Sequence, residues 1–518
     1  MPLAPSAYFY PSPFRHLLMA LAGFAPAAVS AVAAPAEPFR FHHENILGTS
    51  LDLQVAAADE AQAAAVEAAV LGEIERLRKI LSTYDPASEI SRLNTSTGPM
   101  ACSPELLDVL GAYDAWSARS HGAYNGHLGA LIAAWKAAEK AGEPPAPAPL
   151  QPIVQALAQP GWTLNPAAHT ATRLTPQPFN VDSLGKGYIL SKAVVAARTK
   201  VPAMTGLLLN IGGDMYASGH TPAGTPWAVG VADPKHSEDN APPLTHVRLS
   251  NLAISTSAAY ERGYTIAGRR YSHIFDPRTG QPAEGVASAT VVAGNNANAN
   301  ALATTLCVLK PEEGLALVKG TPGTECLIVG ADGRQYRSEH FATVEDAPKT
   351  AATTPPANPL PPFGAKPGAW PNGCQVTLTI NLKTPDGGRA KRPYVAVWVE
   401  NTEGKTVRTV AVWGNKRKYL PDLHAWWKLA QADEQWAASV TRATRAAGQH
   451  RIVWDGLDDK GAPLPPGTYN IVLEVNREHG TYAMQSGKIE VGKLPAKGTI
   501  AAASEFDEAQ IAYGPPPP

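Results

Sequence analysis

The chain has 518 residues, room for about two or three domains at roughly 100–200 residues each. Its 44% hydrophobic content suffices for real cores, and 44 Lys+Arg against 45 Asp+Glu leave a formal net charge of -1, which excludes the basic excess of a nucleic-acid binder. Four scattered cysteines without a CxxC exclude a zinc ribbon, a thioredoxin-type site and a dense disulfide scaffold.

In chain order, residues 1–34 read as a secretory signal. Arg15 and His16 precede an apolar run from Leu17 to about Val32, and Ala31-Val32-Ala33 forms an A-x-A cleavage site. The run is interrupted by Gly23 and Pro26 and is marginal for a membrane span. The mature protein is expected to be exported, with no stable membrane insertion.

Residues 38–344 mix helical and strand patterns, an α+β signature. Ala61 to Leu81 carries Val66, Val70, Ile74, Leu77 and Ile80 on one stripe, with Asp59 as N-cap. Pro104 to Ser120 is a second helix capped by Ser103. Leu207–Ile211 and Ala287–Ala293 read as strands, and Ala299–Leu309 as a helix.

Residues 345–372 form a Pro-rich linker, with eight prolines between Ala347 and Asn372. Residues 373–495 read as an all-β sandwich-like domain. Strands Val376–Leu382, Tyr394–Val399, Val407–Trp413 and Asn470–Val475 are separated by turn signals such as Asn401-Thr402-Glu403-Gly404. Residues 496–518 are expected to be a disordered tail. Trp398, Trp413 and the Trp426-Trp427 pair with His424 are either docking aromatics or sandwich core. Cys307 reads as core, while Cys102, Cys326 and Cys374 leave room for one disulfide that the sequence cannot pair.

The chemistry-bearing motifs lie in the first domain. Asn210-Ile211-Gly212-Gly213-Asp214 places two glycines and an acid at a strand end, where free N–H groups can hold a phosphate. Ser257, Tyr260 and Arg262 supply a hydroxyl, a phenol and a guanidinium. His273 and Asp276, three apart before a turn, are either a general base and its orienter or two ligand contacts.

These motifs, in this order, resemble the ApbE family of FAD:protein FMN transferases. The resemblance runs over most of residues 45–340. It includes Ser82-Thr83-Tyr84-Asp85-Pro86, Gly122-Ala123-Tyr124, Leu184-Gly185-Lys186-Gly187-Tyr188, Asn210 to Asp214, Ser257 to Arg262, and Tyr271 to Gly280. The β-rich end resembles the DUF2271 domain. Its Trp454-Asp455-Gly456 turn is also similar to that of Ig-like flagellar hook-capping modules.

The resemblance implies an ApbE-like (T-fold-type) domain, binding of FAD and Mg²⁺ outside the cytoplasm, and a partner protein bearing a Ser/Thr flavinylation motif. FMN would be attached through its phosphate to that hydroxyl, with release of AMP. His273 is then the candidate base or acid, and Asp276 its orienter or a ribityl contact. Tyr84 and Tyr124, with Ala123 and Asn125, would lie by the flavin. Gly212, Gly213 and Asp214 would line the nucleotide, and Lys186 would face phosphate.

Three usually acidic family positions are Asn125, Asn180 and Asn300 here. A metal site of Asn300, Thr304 and the Ser183 carbonyl should bind Mg²⁺ weakly, since that hard cation prefers carboxylates. Asp182, sharing a strand face with Asn180, would restore one negative charge. The alternative implied by these substitutions is an FAD-binding, catalytically weak relative in a redox-accessory role.

Overall fold

The computed structural model describes residues 37–515, apart from 236–240, 242, 260–262, 347–369, 371–372, 385–391, 415–416, 433–436, 438–439, 443, 446 and 478–480. The signal segment and most of the linker therefore lie outside the described residues.

The first domain is built on an eight-stranded antiparallel meander: β1 Phe39–Ile46, β2 Thr49–Ala56, β3 Gly206–Ile211, β4 Asp214–Gly219, β5 Leu252–Ala258, β6 Val286–Ala293, β7 Glu325–Gly330 and β8 Gln335–Arg337, in that spatial order. Alternation along the strands divides the side chains between two cores. Leu51, Leu53, Leu207, Leu209, Ile211, Val291 and Ile328 point to one face. Leu208, Val292, Leu327 and Val329 point to the other.

Helices cover the first face: α1 Glu60–Leu81, α2 Pro104–Arg119, α3 Asp182–Lys200 and α4 Asn296–Val308. Val66, Val70, Ile74 and Leu77 of α1 follow the i, i+4 spacing that makes one buried stripe. The Asp59 carboxylate accepts the Gln62 N–H at 2.8 Å, and Ser103 caps α2 in the same way. A two-stranded ribbon, Trp227–Val231 with Thr245–Leu249, covers the second face together with Phe341.

The second domain is two facing antiparallel-dominated sheets around a shared core. One contains Gly448–Trp454, Gln375–Leu382, Ala509–Gly514 and Ala496–Ile500. The other contains Thr441–Arg442, Thr406–Trp413, Tyr394–Glu400, Gly467–Asn476 and Tyr482–Val491.

Several expectations are corrected. Of the expected disordered tail, residues 496–515 are described and contain strands: Ala509–Gly514 lies between Gln375–Leu382 and Ala496–Ile500, so it is an inner strand of the sandwich. Trp370, assigned to the linker, packs edge-on against Trp454 and Tyr513. At the linker's other end, Glu345 and Asp346 pair with Arg337 and Arg248 of the first domain. Trp398, Trp413 and Trp426 are buried, which makes them core rather than docking aromatics, and Trp427 is partly buried beside them. All four cysteines are free thiols.

Candidate functional site

Two helix starts and one strand turn converge to make the site. Gly212 and Gly213 have φ +58° and +93°, left-handed geometry that glycine adopts without strain. The tight turn between β3 and β4 delivers Asp214 as the first residue of the return strand. Its two glycine N–H groups are not left for a phosphate. Gly212 donates to the Ser50 carbonyl at 3.1 Å, and Gly213 donates to Asn210 Oδ1 at 2.9 Å.

Gly187 sets the approach of α3 to α4. A Cβ there would lie 2.5 Å from the Asn296 carbonyl oxygen, closer than real Cβ atoms come. Glycine at this position lets the first turns of α3 and α4 meet, which brings Ser183 and Lys186 beside Asn300 and Thr304.

A continuous polar network results. The Lys186 ammonium lies 2.5 Å from Asp214 Oδ2, and the Asn300 amide donates to the same oxygen at 3.1 Å. Asn300 Oδ1 accepts from the Ser183 hydroxyl at 2.5 Å. Ser183 Oγ accepts from the Tyr124 phenol at 3.2 Å and lies 3.4 Å from Thr304 Oγ1. Thr304 Oγ1 in turn lies 3.2 Å from Ser257 Oγ. Asp214 is only 3% exposed, so its charge depends on these partners.

Tyr124 is held by stacking on Tyr113, with ring centroids 5.0 Å apart and planes 8° apart. Burial pushes its phenol up to about 12, so it stays a proton donor over the whole neutral range. Ala123 and Asn125 are buried on either side. Asn125 Nδ2 donates to the Leu157 carbonyl and Oδ1 accepts the His127 N–H, a turn-holding role.

Asp182 does not share a strand face with Asn180. It opens α3, where its carboxylate accepts the Thr83 hydroxyl at 2.8 Å and Asn180 Nδ2 at 3.4 Å. Tyr84, next in sequence to Thr83, is 85% exposed.

His273 is half-buried between strands Arg269–Ser272 and Phe275–Asp276. The Asp276 carboxylate is gripped by the Arg278 guanidinium, Nε to Oδ1 and Nη2 to Oδ2 both at 2.8 Å. The aliphatic part of Arg278 lies against Gly122, which joins this segment to the Tyr124 turn. Tyr260 and Arg262 lie outside the described residues.

Sequence reasoning missed Thr83, Tyr113 and Arg278 as partners. Arg278 was visible as a cation two residues from Asp276; Tyr113 carried no signal beyond its place on an apolar helix.

The side chains of Ser183, Asn300 and Thr304 do come together, but as side chains they do not fit a divalent cation. The amide NH₂ of Asn300 must face Asp214, because its oxygen would be repelled there, and its Oδ1 is bonded to Ser183. Among the described residues, the one carboxylate in the network, Asp214, carries an ammonium. Among the described residues no three His, Cys, Asp or Glu side chains cluster to hold a metal.

Fold and site define an α+β domain with a polar network where two helices meet a strand turn, followed by a β-sandwich. The chain matches the ApbE family over residues 47–328, and it belongs to that family. Residues 375–508 match a family described as "Predicted periplasmic protein (DUF2271)". Among curated relatives, a Klebsiella pneumoniae FAD:protein FMN transferase is 28% identical over 60% of this chain and 91% of its own. The Treponema pallidum enzyme of the same name is 29% identical over 56% and 84%. Of solved structures, the Thermotoga maritima ApbE protein superposes with a TM-score of 0.54 at 25% identity, over 60% of this chain and 100% of its own. The Pseudomonas stutzeri flavinyl transferase ApbE, with TM-score 0.52 and 24% identity over 60% and 98%, shows the same fold.

Proposed function

We propose that this chain is an exported FAD:protein FMN transferase, acting in the periplasm on a partner protein with a Ser/Thr flavinylation motif. The observation that carries the reading is the pair of part-buried Lys186 with buried Asp214 at the Gly212-Gly213 turn, inside the region matched by the family. Among the described residues no helix is long and apolar enough to cross a membrane.

In the reaction, the acceptor hydroxyl oxygen attacks the phosphorus that bears riboflavin. A new P–O bond forms, the pyrophosphate P–O bond breaks, and AMP leaves with the bridging oxygen. Phosphoryl transfer of this kind needs alignment and charge neutralisation more than covalent help. Lys186 would meet the phosphates. Tyr124, fixed by Tyr113, would stand by the flavin side. His273 would take the hydroxyl proton, and Arg278 would hold Asp276 and the His273 loop in place.

The test is incubation of the purified protein with FAD and a recombinant acceptor domain carrying a Ser/Thr flavinylation motif, read by flavin fluorescence in a denaturing gel and by AMP release. A labelled acceptor with equimolar AMP is expected. Tight FAD binding without either product would instead support the second reading, a flavin-binding accessory protein, which the neutral Asn300 favours.

A further inference from the structure

The cluster around Asp214 is charge-balanced by its own side chains. An Asp at position 300 would set two carboxylates about 3 Å apart, an arrangement that requires a shared proton or a cation. Asn300 replaces that repulsion with a hydrogen bond of 3.1 Å. The remaining charge, Asp214, is met by Lys186 at 2.5 Å. The next acid, Asp182, is tied to Thr83 and Asn180 rather than turned to Asp214. A dication entering here would have to displace Lys186 and leave a half-buried ammonium without its counter-ion. An ammonium carries three donors, and the Asp214 contact takes one.

We propose that the Lys186 ammonium, anchored on Asp214, is the resident cation of this site: it replaces a divalent metal and offers its remaining donors to the pyrophosphate of FAD. The inference rests on the flavin-transfer reading for its ligand, but the charge balance concerns this chain's own residues. It follows that FAD binds without divalent cation, and that the Asn300 position decides whether the site takes one.

Two measurements on the full mature chain test this. The first is Mn²⁺ binding by electron paramagnetic resonance, with no flavin present. Wild type should bind no Mn²⁺ at this site up to millimolar concentration, and Asn300→Asp should bind one ion. The second is FAD affinity in EDTA and in excess Mg²⁺. Wild type should differ less than about twofold between the two, and Lys186→Gln should lose about tenfold or more in both, one decade being about 1.4 kcal/mol. Asn300→Asp should bind FAD about tenfold more tightly with Mg²⁺ than with EDTA, with its circular dichroism unchanged.

Tight Mn²⁺ binding by wild type that Asn300→Ala abolishes, or FAD binding that vanishes in EDTA, would overturn the proposal. Failure of wild type to bind FAD under either condition would overturn the flavin reading, while the Mn²⁺ titration would still decide the charge balance.

Discussion

The two domains bury polar groups in opposite ways. In the first, Lys186, Asp214, Asn300, Ser183, Thr304 and Tyr124 form a chain of contacts where two helix starts meet a strand turn, with Lys186 still a quarter exposed. In the sandwich, Arg477 is sealed against Glu505 at 2.7 Å, and Glu505 also accepts from the Thr481 hydroxyl; both charged side chains are nearly inaccessible. A polar network that reaches solvent can meet a ligand. A sealed pair can only hold its own domain together, and its removal should not be felt at the flavin.

Asp214→Asn should have the largest effect. Lys186 would lose its counter-ion, at a cost of about 3–5 kcal/mol for a fully buried pair and less here because Lys186 is part-exposed. FAD affinity should fall by about a hundredfold or more, as titration would show. Arg477→Met should cost the sandwich about 3–5 kcal/mol by leaving the buried Glu505 without its cation, while FAD affinity stays unchanged. Thermal melting with and without FAD separates these outcomes, and a parallel loss of FAD binding would refute the division.

Acid should distinguish the domains next. Burial depresses His127 to about 4, and its Nδ1 has no partner in the described structure. Its folded pKa lies below its unfolded value near 6.5, so the unfolded chain takes up more protons between the two. The first domain should lose up to about 3 kcal/mol as pH falls from 6.5 to 4, and His127→Gln should flatten that slope. For Glu505, burial raises the pKa, but Arg477 and Thr481 outweigh it and hold the carboxyl below its usual range. That contribution is present above the unfolded pKa and is lost only as pH falls through the lower folded value, so the sandwich should melt later on acidification. A pH series of two-transition melts checks the order.

Gly187→Ala should be milder, roughly 1–3 kcal/mol, because the added methyl forces α3 and α4 apart against the Asn296 carbonyl. Its effect on FAD affinity should exceed that of a surface Gly→Ala control. Tyr124→Phe should be smallest, about 1 kcal/mol for one lost hydrogen bond, with the stack on Tyr113 retained; a melting shift larger than that of Gly187→Ala would argue against this ranking.

Much of the fold was legible because it is periodic. The α1 stripe, its Asp59 cap, the core strands and the sandwich hairpins each declare themselves within a short window. The site was legible as a set of names but not as a geometry. Gly212-Gly213-Asp214 announced a turn, yet its N–H groups proved to be bonded to Ser50 and Asn210. Asp182 was read on a strand because nothing local shows that a helix begins there. The last strand was taken for a tail because its partner, Gln375–Leu382, lies far upstream and polar-alternating ends look like loops until they are paired.

Family, the α+β and β-sandwich classes and the residue types of the polar network are legible from local periodicity and motif order along the chain. Only the tertiary structure decided that Lys186 meets Asp214, that Asn300 turns its amide toward that carboxylate, and that the tryptophans are core. Those are contacts between distant segments, fixed by packing at Gly187 and by which groups must be satisfied once water is excluded.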